Sequence, residues 1–376
     1  MDFDCEVVRR GTHCAKWDAP GVDADVICMG TADMDFKVPA AVQDALRAQA
    51  EHGVYGYTLM EDEDWQAVMD WMARYHRHPL KREWLLFSPG VIPTLHAAMR
   101  AVSKPGDRVV VETPVYPPFF SAVSGEGRVV VENPLKLVDG HWERDWDGLE
   151  ACFKDGVKVF FMCSPHNPVG RVWTRREQER LAELCVAYDV SVICDEIHSD
   201  LILPGHVHTA IATLPGMEER TVTAVSATKS FNLAGLQSST AICPREDWRK
   251  TMSEALYSCG MHGPNVMAKV AQTAAYRSGR PWLEAMLAYV DISARRMVKA
   301  LCECGFPATP VEGTYLVWAD GSRLEKTGDE LIALLVEKAR IHVTGGDAFG
   351  APGWFRVNLA TTHANIDRAI DGLKQL

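Results

Sequence analysis

The feature that most constrains the fold of this chain is a series of apolar, β-branched runs between residues 108 and 243 that do not alternate with polar residues. Helical segments separate the runs, the clearest at 174–188, where Thr174 and Glu177 form a capping box. Strands of this kind indicate an α/β fold with a mostly parallel central sheet and helices on both faces. The runs cover residues 108–112, 128–132, 157–163, 190–194, 221–225 and 240–243.

The sequence that follows this series indicates a second, smaller unit. After Pro264 the pattern is helical to about residue 304, and strands return at 314–318 and 355–359 around a helix at 329–338. A chain of 376 residues is long enough for two to three domains. We expect an N-terminal segment (1–45) that joins the small domain, a large domain (46–275) and a small α+β domain (276–376).

Charge and hydropathy favour a cytoplasmic protein with no nucleic-acid or membrane partner. The formal net charge is −11, and no run of like charge marks a surface for nucleic acid or lipid. No uninterrupted apolar window is long enough for a membrane span. The N-terminus, MDFDCEVVRRGTHC, lacks the apolar region of a secretory signal.

Polar residues follow three of the predicted strands. Asn167 comes after the strand at 157–163, Asp195 after that at 190–194, and Lys229 after that at 221–225. In open α/β sheets ligands bind outside the carboxyl ends of the strands, so the three side chains are predicted to converge. The alternative is that each belongs to an ordinary polar turn.

Lys229 is the most unusual of the three, because a buried lysine is costly unless it is paired. One chemistry requires such an amine: a Schiff base to the aldehyde of pyridoxal phosphate (PLP). Taken alone, Lys229 fits a solvated loop better, because most lysines are exposed. The glycine-containing start of a helix at 88–93 could bind an anion, and Tyr116, after the strand at 108–112, could stack on a planar ring. Taken alone, an ordinary helix start and a packed aromatic side chain explain these two features better. The spacing of Asp195, His198 and Asp200 fits no strong metal motif, so no metal is expected.

Seven stretches together resemble fold-type I PLP enzymes, the class I/II aminotransferase superfamily. The chain is most similar to the MalY/PatB branch of cystathionine β-lyases, which are C–S lyases. The resemblance covers nearly the whole chain, in the order and spacing of that family. The stretches are 31–36 (TADMDF), 55–58 (YGYT), 164–173 (SPHNPVGRVW), 195–200 (DEIHSD), 226–232 (SATKSFN), 313–316 (GTYL) and 355–359 (FRVNL).

The resemblance implies PLP as the cofactor and a role for each matching position. Lys229 would form the Schiff base, Asp195 would pair with the pyridinium nitrogen, and Asn167 would hydrogen-bond the ring 3′-oxygen. Tyr116 would stack on the ring, and the phosphate would be held by the backbone of Val91 and Ile92 and the Ser226 hydroxyl.

The resemblance also implies a homodimer with shared active sites. Tyr57 would reach the phosphate of the neighbouring subunit. Arg356, with Asn167, would bind the α-carboxylate of an amino-acid substrate. Side chains near the leaving group are expected from the 31–36 stretch and from the partner subunit.

Two positions depart from typical aminotransferases and match the lyase branch. His198 stands near the 3′-oxygen where those enzymes carry tyrosine, and Gln237 replaces an arginine on the phosphate. We therefore expect a PLP-dependent β-lyase that cleaves L-cystathionine or related S-substituted L-cysteines to a thiol, pyruvate and ammonia. The alternatives are a class I/II aminotransferase and a regulatory protein that retains the PLP fold.

Overall fold

The computed structural model describes residues 1–19 and 22–376. The first part of the chain contributes one short strand and two helices. Both helices end at residues with a left-handed backbone, Gly53 (φ 73°) and Arg77 (φ 53°), and glycine adopts that conformation without steric cost. The elements are β1 (Ile27–Cys28), α1 (Ala40–His52) and α2 (Asp62–His76).

The central part of the chain forms a seven-stranded sheet in the order β2–β10–β9–β8–β7–β3–β4. Strand β10 is antiparallel to both of its neighbours, and the other neighbouring pairs are parallel. The prediction of a mostly parallel sheet is confirmed. The elements are β2 (Leu85–Ser88), α3 (Val91–Val102), β3 (Arg108–Val111), α4 (Pro118–Gly125), β4 (Val129–Glu132), β5 (Lys136–Val138), β6 (His141–Glu143), α5 (Trp146–Lys154), β7 (Val159–Cys163), α6 (Arg175–Ala187), β8 (Ser191–Asp195), β9 (Thr221–Val225), α7 (Ala227–Ser230), β10 (Ser239–Ile242) and α8 (Glu246–Ser258).

The last part of the chain forms a three-stranded antiparallel sheet in the order β11–β14–β13. Strand β1 pairs in parallel with β12, so the N-terminal segment joins this part of the molecule. The elements are α9 (Val266–Ser278), α10 (Arg280–Glu303), β11 (Leu316–Asp320), α11 (Gly328–Leu334) with a π-helical turn (Leu335–Ala339), β12 (Ile341–His342), β13 (Thr344–Gly345), β14 (Trp354–Asn358) and α12 (His363–Leu373).

The central strands lack polar alternation because both of their faces are buried. In β3, Val109 and Val111 pack into a cluster with α3, α4 and α8 on one face. Val110 packs on the opposite face with residues of α5 and α6. Successive side chains of a strand point to opposite faces, so a strand covered by helices on both sides must be apolar throughout.

The capping box predicted at the start of α6 is also confirmed. The Glu177 amide donates to Thr174 Oγ1 at 3.2 Å, and the Thr174 amide donates to Glu177 Oε2 at 2.7 Å. Two backbone donors at the helix start are satisfied in this way, and such a cap stabilises a helix by about 1 kcal/mol. The cap fixes where the chain leaves the loop that follows β7.

Helices α1 and α9 pack against each other and run through the domain boundaries expected at 45/46 and 275/276. The division into a large and a small domain at these residues stays a prediction.

Among residues 1–19 and 22–376, none of the helices combines the length and the apolar character needed to cross a membrane.

Candidate active site

The carboxyl ends of three neighbouring parallel strands open on one cavity of about 810 Å³. Asn167 follows β7, Asp195 is the last residue of β8, and Lys229 lies on the one-turn helix α7 directly after β9. All three line the cavity. The other predicted site residues that line it are Val91, Ile92, Tyr116, His198 and Arg356.

Lys229 is held inside this cavity with its amine against the backbone of a distant segment. Its Nζ donates to the Ala32 carbonyl oxygen at 2.6 Å. Burial and the nearby charge of Arg356 together lower the pKa of Lys229 to about 8, while the charges of Asp33 and Asp195 act in the opposite direction. The neutral amine is therefore far more abundant near neutral pH than in an ordinary lysine, which suits a nucleophile or a base.

Asp195 is buried at the end of β8 and accepts a hydrogen bond from the Ile197 amide at 3.0 Å. Burial raises the pKa of Asp195 to about 6, whereas this amide and the charge of Lys229 act in the opposite direction. A buried carboxylate at this position favours a cationic partner, such as a protonated ring nitrogen.

His198 is buried beside Tyr315, and its surroundings favour the uncharged ring. Burial lowers the pKa of His198 well below its usual value, and the charges of Lys229 and Arg356 act in the same direction. Its Nδ1 has no hydrogen-bond partner among the described residues. A neutral imidazole can therefore offer the cavity one donor or one acceptor.

Arg356 lies in β14 and brings a guanidinium to the opposite wall of the cavity. Its Nη1 donates to Asn167 Oδ1 at 2.8 Å and its Nη2 to the Gly30 carbonyl at 3.3 Å. Its Nε has no partner in the described parts of the chain, and burial lowers the pKa of the group to about 10. A buried cation with a free N–H is suited to bind a carboxylate.

The start of α3 forms the anion-binding end of the cavity. Gly90, Val91 and Ile92 line the cavity there, and unpaired amides of a helix N-terminus attract negative charge. Thr228 and Ser238 add hydroxyl-bearing residues to this wall. The sequence analysis assigns a role to neither residue, although Thr228 stands in the 226–232 stretch.

Ser226 lies behind this wall and does not line the cavity. Its Oγ accepts from the Thr228 amide at 3.0 Å and donates to the Ser238 carbonyl at 2.6 Å. It therefore supports the two residues that face the cavity. A direct bond from Ser226 to a phosphate stays a prediction.

Tyr116 and Tyr57 are placed very differently. Tyr116 is half-buried in the cavity wall, and burial raises its pKa. Tyr57 is fully exposed and does not line the cavity of its own subunit. Its predicted role in a neighbouring subunit stays a prediction.

Residues 30–36, the strap, close the cavity on the side of Lys229. Thr31 and Ala32 line the cavity, as expected for the 31–36 stretch. Asn358 Nδ2 donates to the carbonyls of Thr31 and Asp33, both at 2.6 Å. From the other side, Asn232 Nδ2 donates to the Met34 carbonyl at 3.0 Å. Asparagines from two distant parts of the chain thus fix the strap.

The residues present fit PLP. Asp195 suits its pyridinium nitrogen, Lys229 its aldehyde, and the start of α3 its phosphate. Gln237, which stands where typical aminotransferases carry arginine, lines the cavity near Thr228 and Ser238. Within residues 1–19 and 22–376, no three His, Cys, Asp or Glu side chains lie close enough to hold a metal ion.

Comparison with known proteins points to the same chemistry. Residues 24–373 match the family model for class I and II aminotransferases. The cystathionine β-lyase PatB of Bacillus subtilis (strain 168) is 36% identical over 100% of this chain and 99% of its own.

Two solved structures share the fold over nearly the full length of both chains. A PLP-bound putative aminotransferase from Clostridium difficile 630 has a TM-score of 0.95 and 35% identity, covering 100% of this chain and 99% of its own. A PLP-bound C–S lyase from Staphylococcus hominis has a TM-score of 0.92 and 28% identity, covering 100% and 97%.

Proposed function

Because the chain belongs to the class I and II aminotransferase family, we propose that it is a PLP-dependent C–S β-lyase. Its substrates would be L-cystathionine or related S-substituted L-cysteines, and one water would be consumed as the thiol, pyruvate and ammonia are released. The observation that carries the proposal is the amine of Lys229, with a lowered pKa, in one cavity with Asp195 and Arg356. His198, Gln237 and the full-length similarity to PatB favour the lyase.

Each of these residues has a defined task in the reaction. When bound, PLP supplies an aldehyde that reacts with the substrate amine and a ring that accepts the electrons released at Cα. Arg356 binds the α-carboxylate and so sets the direction of the Cα–H bond. Lys229 Nζ accepts the Cα proton and can then donate it to the departing sulfur. Asp195 keeps the proton on the ring nitrogen.

The proposal predicts that the purified holoenzyme releases one thiol per pyruvate from L-cystathionine or an S-alkyl cysteine. No keto acid should be needed, because the electrons stay within the products. The measurement is a parallel assay of thiol and pyruvate with and without added 2-oxoglutarate. Keto acid formation only when 2-oxoglutarate is present would instead identify an aminotransferase, as the name of the Clostridium difficile structure suggests.

We further propose that the enzyme is a homodimer in which Tyr57 completes the site of the neighbouring subunit. Tyr57 lies in an exposed, uncharged stretch with Val54, Tyr55 and Leu59. This stretch borders the cavity mouth. Gly263 packs so closely against the Thr58 carbonyl oxygen that an added Cβ would lie 2.5 Å from it, and the loop of Gly263 also carries the cavity-lining residue Met261. An exposed apolar surface at a cavity mouth is suited to cover by a second copy.

This arrangement predicts complementation between two impaired variants. In a mixed dimer of Lys229→Ala and Tyr57→Ala subunits, one site would combine an intact Lys229 with an intact Tyr57 from its partner. Statistical exchange of equal amounts makes half of the dimers mixed, and each mixed dimer has one complete site of two, so mixing should restore up to about a quarter of the wild-type activity. Light scattering should give twice the mass of one chain. If Tyr57 served its own subunit, or if the protein were a monomer, mixing would restore nothing.

A further inference from the structure

Another lysine, Lys16, is buried on the far side of the strap from the cavity. Its side chain is only 1% exposed. Its Nζ donates to both carboxylate oxygens of Asp35 at 3.1 Å and to the Asp33 carbonyl at 3.4 Å. Burying a lysine is unfavourable unless it is paired, and the proposed reaction does not use this amine. The position of Lys16 therefore requires an explanation other than the reaction itself.

Arg9 joins the same arrangement from the N-terminal segment. Its two terminal nitrogens donate to the two oxygens of Asp33, each at 2.9 Å. Nη1 also donates to Asp35 at 2.7 Å and to the Met34 carbonyl at 2.9 Å. A planar guanidinium that binds a carboxylate with two nitrogens fixes orientation as well as distance. Arg9, Lys16, Asp33 and Asp35 thus form a charge-balanced group, the N-terminal ion cluster.

Only the backbone of the strap separates this cluster from the reactive groups. The Ala32 carbonyl accepts from Lys229 Nζ at 2.6 Å and from the Tyr315 hydroxyl at 3.1 Å. The Gly30 carbonyl accepts from Arg356. A displacement of the strap by about 1 Å would break the contact between Ala32 and Lys229, since hydrogen bonds weaken steeply beyond about 3.2 Å.

We propose that the N-terminal ion cluster positions the free amine of Lys229, the form of this side chain that accepts the Cα proton. Arg9 and Lys16 bind the carboxylates of Asp33 and Asp35. These contacts keep the preceding Ala32 carbonyl in place as the acceptor for the Lys229 amine. Asn358 and Asn232 bind backbone carbonyls of the strap on either side of Ala32. The cluster adds charged contacts to the side chains of Asp33 and Asp35, which follow Ala32 in the chain. Arg9 and Lys16 are positioning residues, and the kinetic part of this inference rests on the proposed lyase function.

The test is Lys16→Met in the holoenzyme. With one of the two cationic contacts of Asp35 removed, kcat should fall about tenfold while KM changes less than twofold, because the substrate carboxylate is bound elsewhere. Hydrogen exchange at the amides of Met34 and Asp35, which donate to Asn232 and to the Ala360 carbonyl, should become faster. Lys374→Met, which breaks an exposed pair with Asp371, is the matched control and should change neither quantity.

A double variant separates positioning from stability. Lys16→Met/Asp35→Asn removes one charge of each sign, so it should recover the thermal stability lost in the single variant while kcat stays low. Recovery of kcat together with stability, or an unchanged kcat in the single variant, would overturn the proposal. If Lys16→Met does not fold, Arg9→Lys replaces it. This variant keeps the charge but cannot bind Asp33 through two nitrogens, and it should show the same fall in kcat and the same faster exchange.

The exchange measurement does not depend on the activity. If neither wild type nor variant cleaves S-substituted cysteines, the lyase function fails, but faster exchange at Met34 and Asp35 in Lys16→Met still supports control of the strap by the cluster. Unchanged exchange overturns that control whatever the substrate is.

Discussion

Replacing Lys229 with alanine should lower pyruvate release from S-substituted cysteines by at least about 10⁴-fold. The change removes the amine that bonds to the cofactor and the base that takes the Cα proton. The groups suited to the ring nitrogen and the phosphate, Asp195 and the start of α3, remain. The variant should therefore still bind PLP, but borohydride should no longer attach the cofactor permanently to the peptide that contains residue 229. Pyruvate assays and mass spectrometry of the peptides measure the two effects.

Lys250→Ala is the control for this prediction, because Lys250 is exposed on α8 and away from the cavity. It should retain wild-type activity and cofactor attachment. Residual activity of Lys229→Ala within tenfold of wild type would show that another group is the base. A regulatory role that depends only on the fold would survive this substitution, so the same variant distinguishes an enzyme from a regulatory protein.

Changing Arg356 to lysine should reduce kcat/KM by about 10²-fold, and Arg356→Met by about 10³-fold, mainly through KM. Lysine keeps the charge but cannot place two N–H groups on one carboxylate. Methionine removes the charge and leaves the substrate carboxylate buried without a charged partner. The measurement is the steady-state kinetics of both variants with a single S-alkyl cysteine.

Arg323 offers a matched control in the same part of the molecule. Its guanidinium lies 4.1 Å from the ring centre of Phe306, much as Arg356 lies 5.0 Å from that of Phe349, but Arg323 is exposed. Arg323→Lys should leave the kinetics unchanged. If Arg356→Lys lowered kcat while KM stayed constant, Arg356 would act on the transition state and not as the carboxylate anchor.

The central sheet could be predicted because its sequence pattern follows from burial on both faces. Val109 and Val110 enter different clusters, so a run of valines is what two covered faces require. The convergence of Asn167, Asp195 and Lys229 followed from the same argument, since the carboxyl ends of parallel neighbours share one edge.

The contacts of the strap could not be predicted in the same way. The bond from Lys229 to Ala32 joins residues 197 positions apart, and those from Asn358 to the strap span more than 320. No local periodicity encodes such pairings, because they depend on how the seven-stranded and the three-stranded sheet are placed relative to each other. Sequence spacing also does not specify that Thr228 and Ser238 face the cavity while Ser226 lies behind them, because this depends on the direction of each side chain.

The double attachment of the strap has a consequence for synthesis of the protein. Asn358 lies more than 320 residues after the segment whose two carbonyls it binds, so the ribosome makes that segment long before it makes Asn358. Closing a loop of this size is slow and entropically costly. A nascent chain can form its central sheet earlier, but the wall of the cavity beside Lys229 cannot be completed until β14 has been translated.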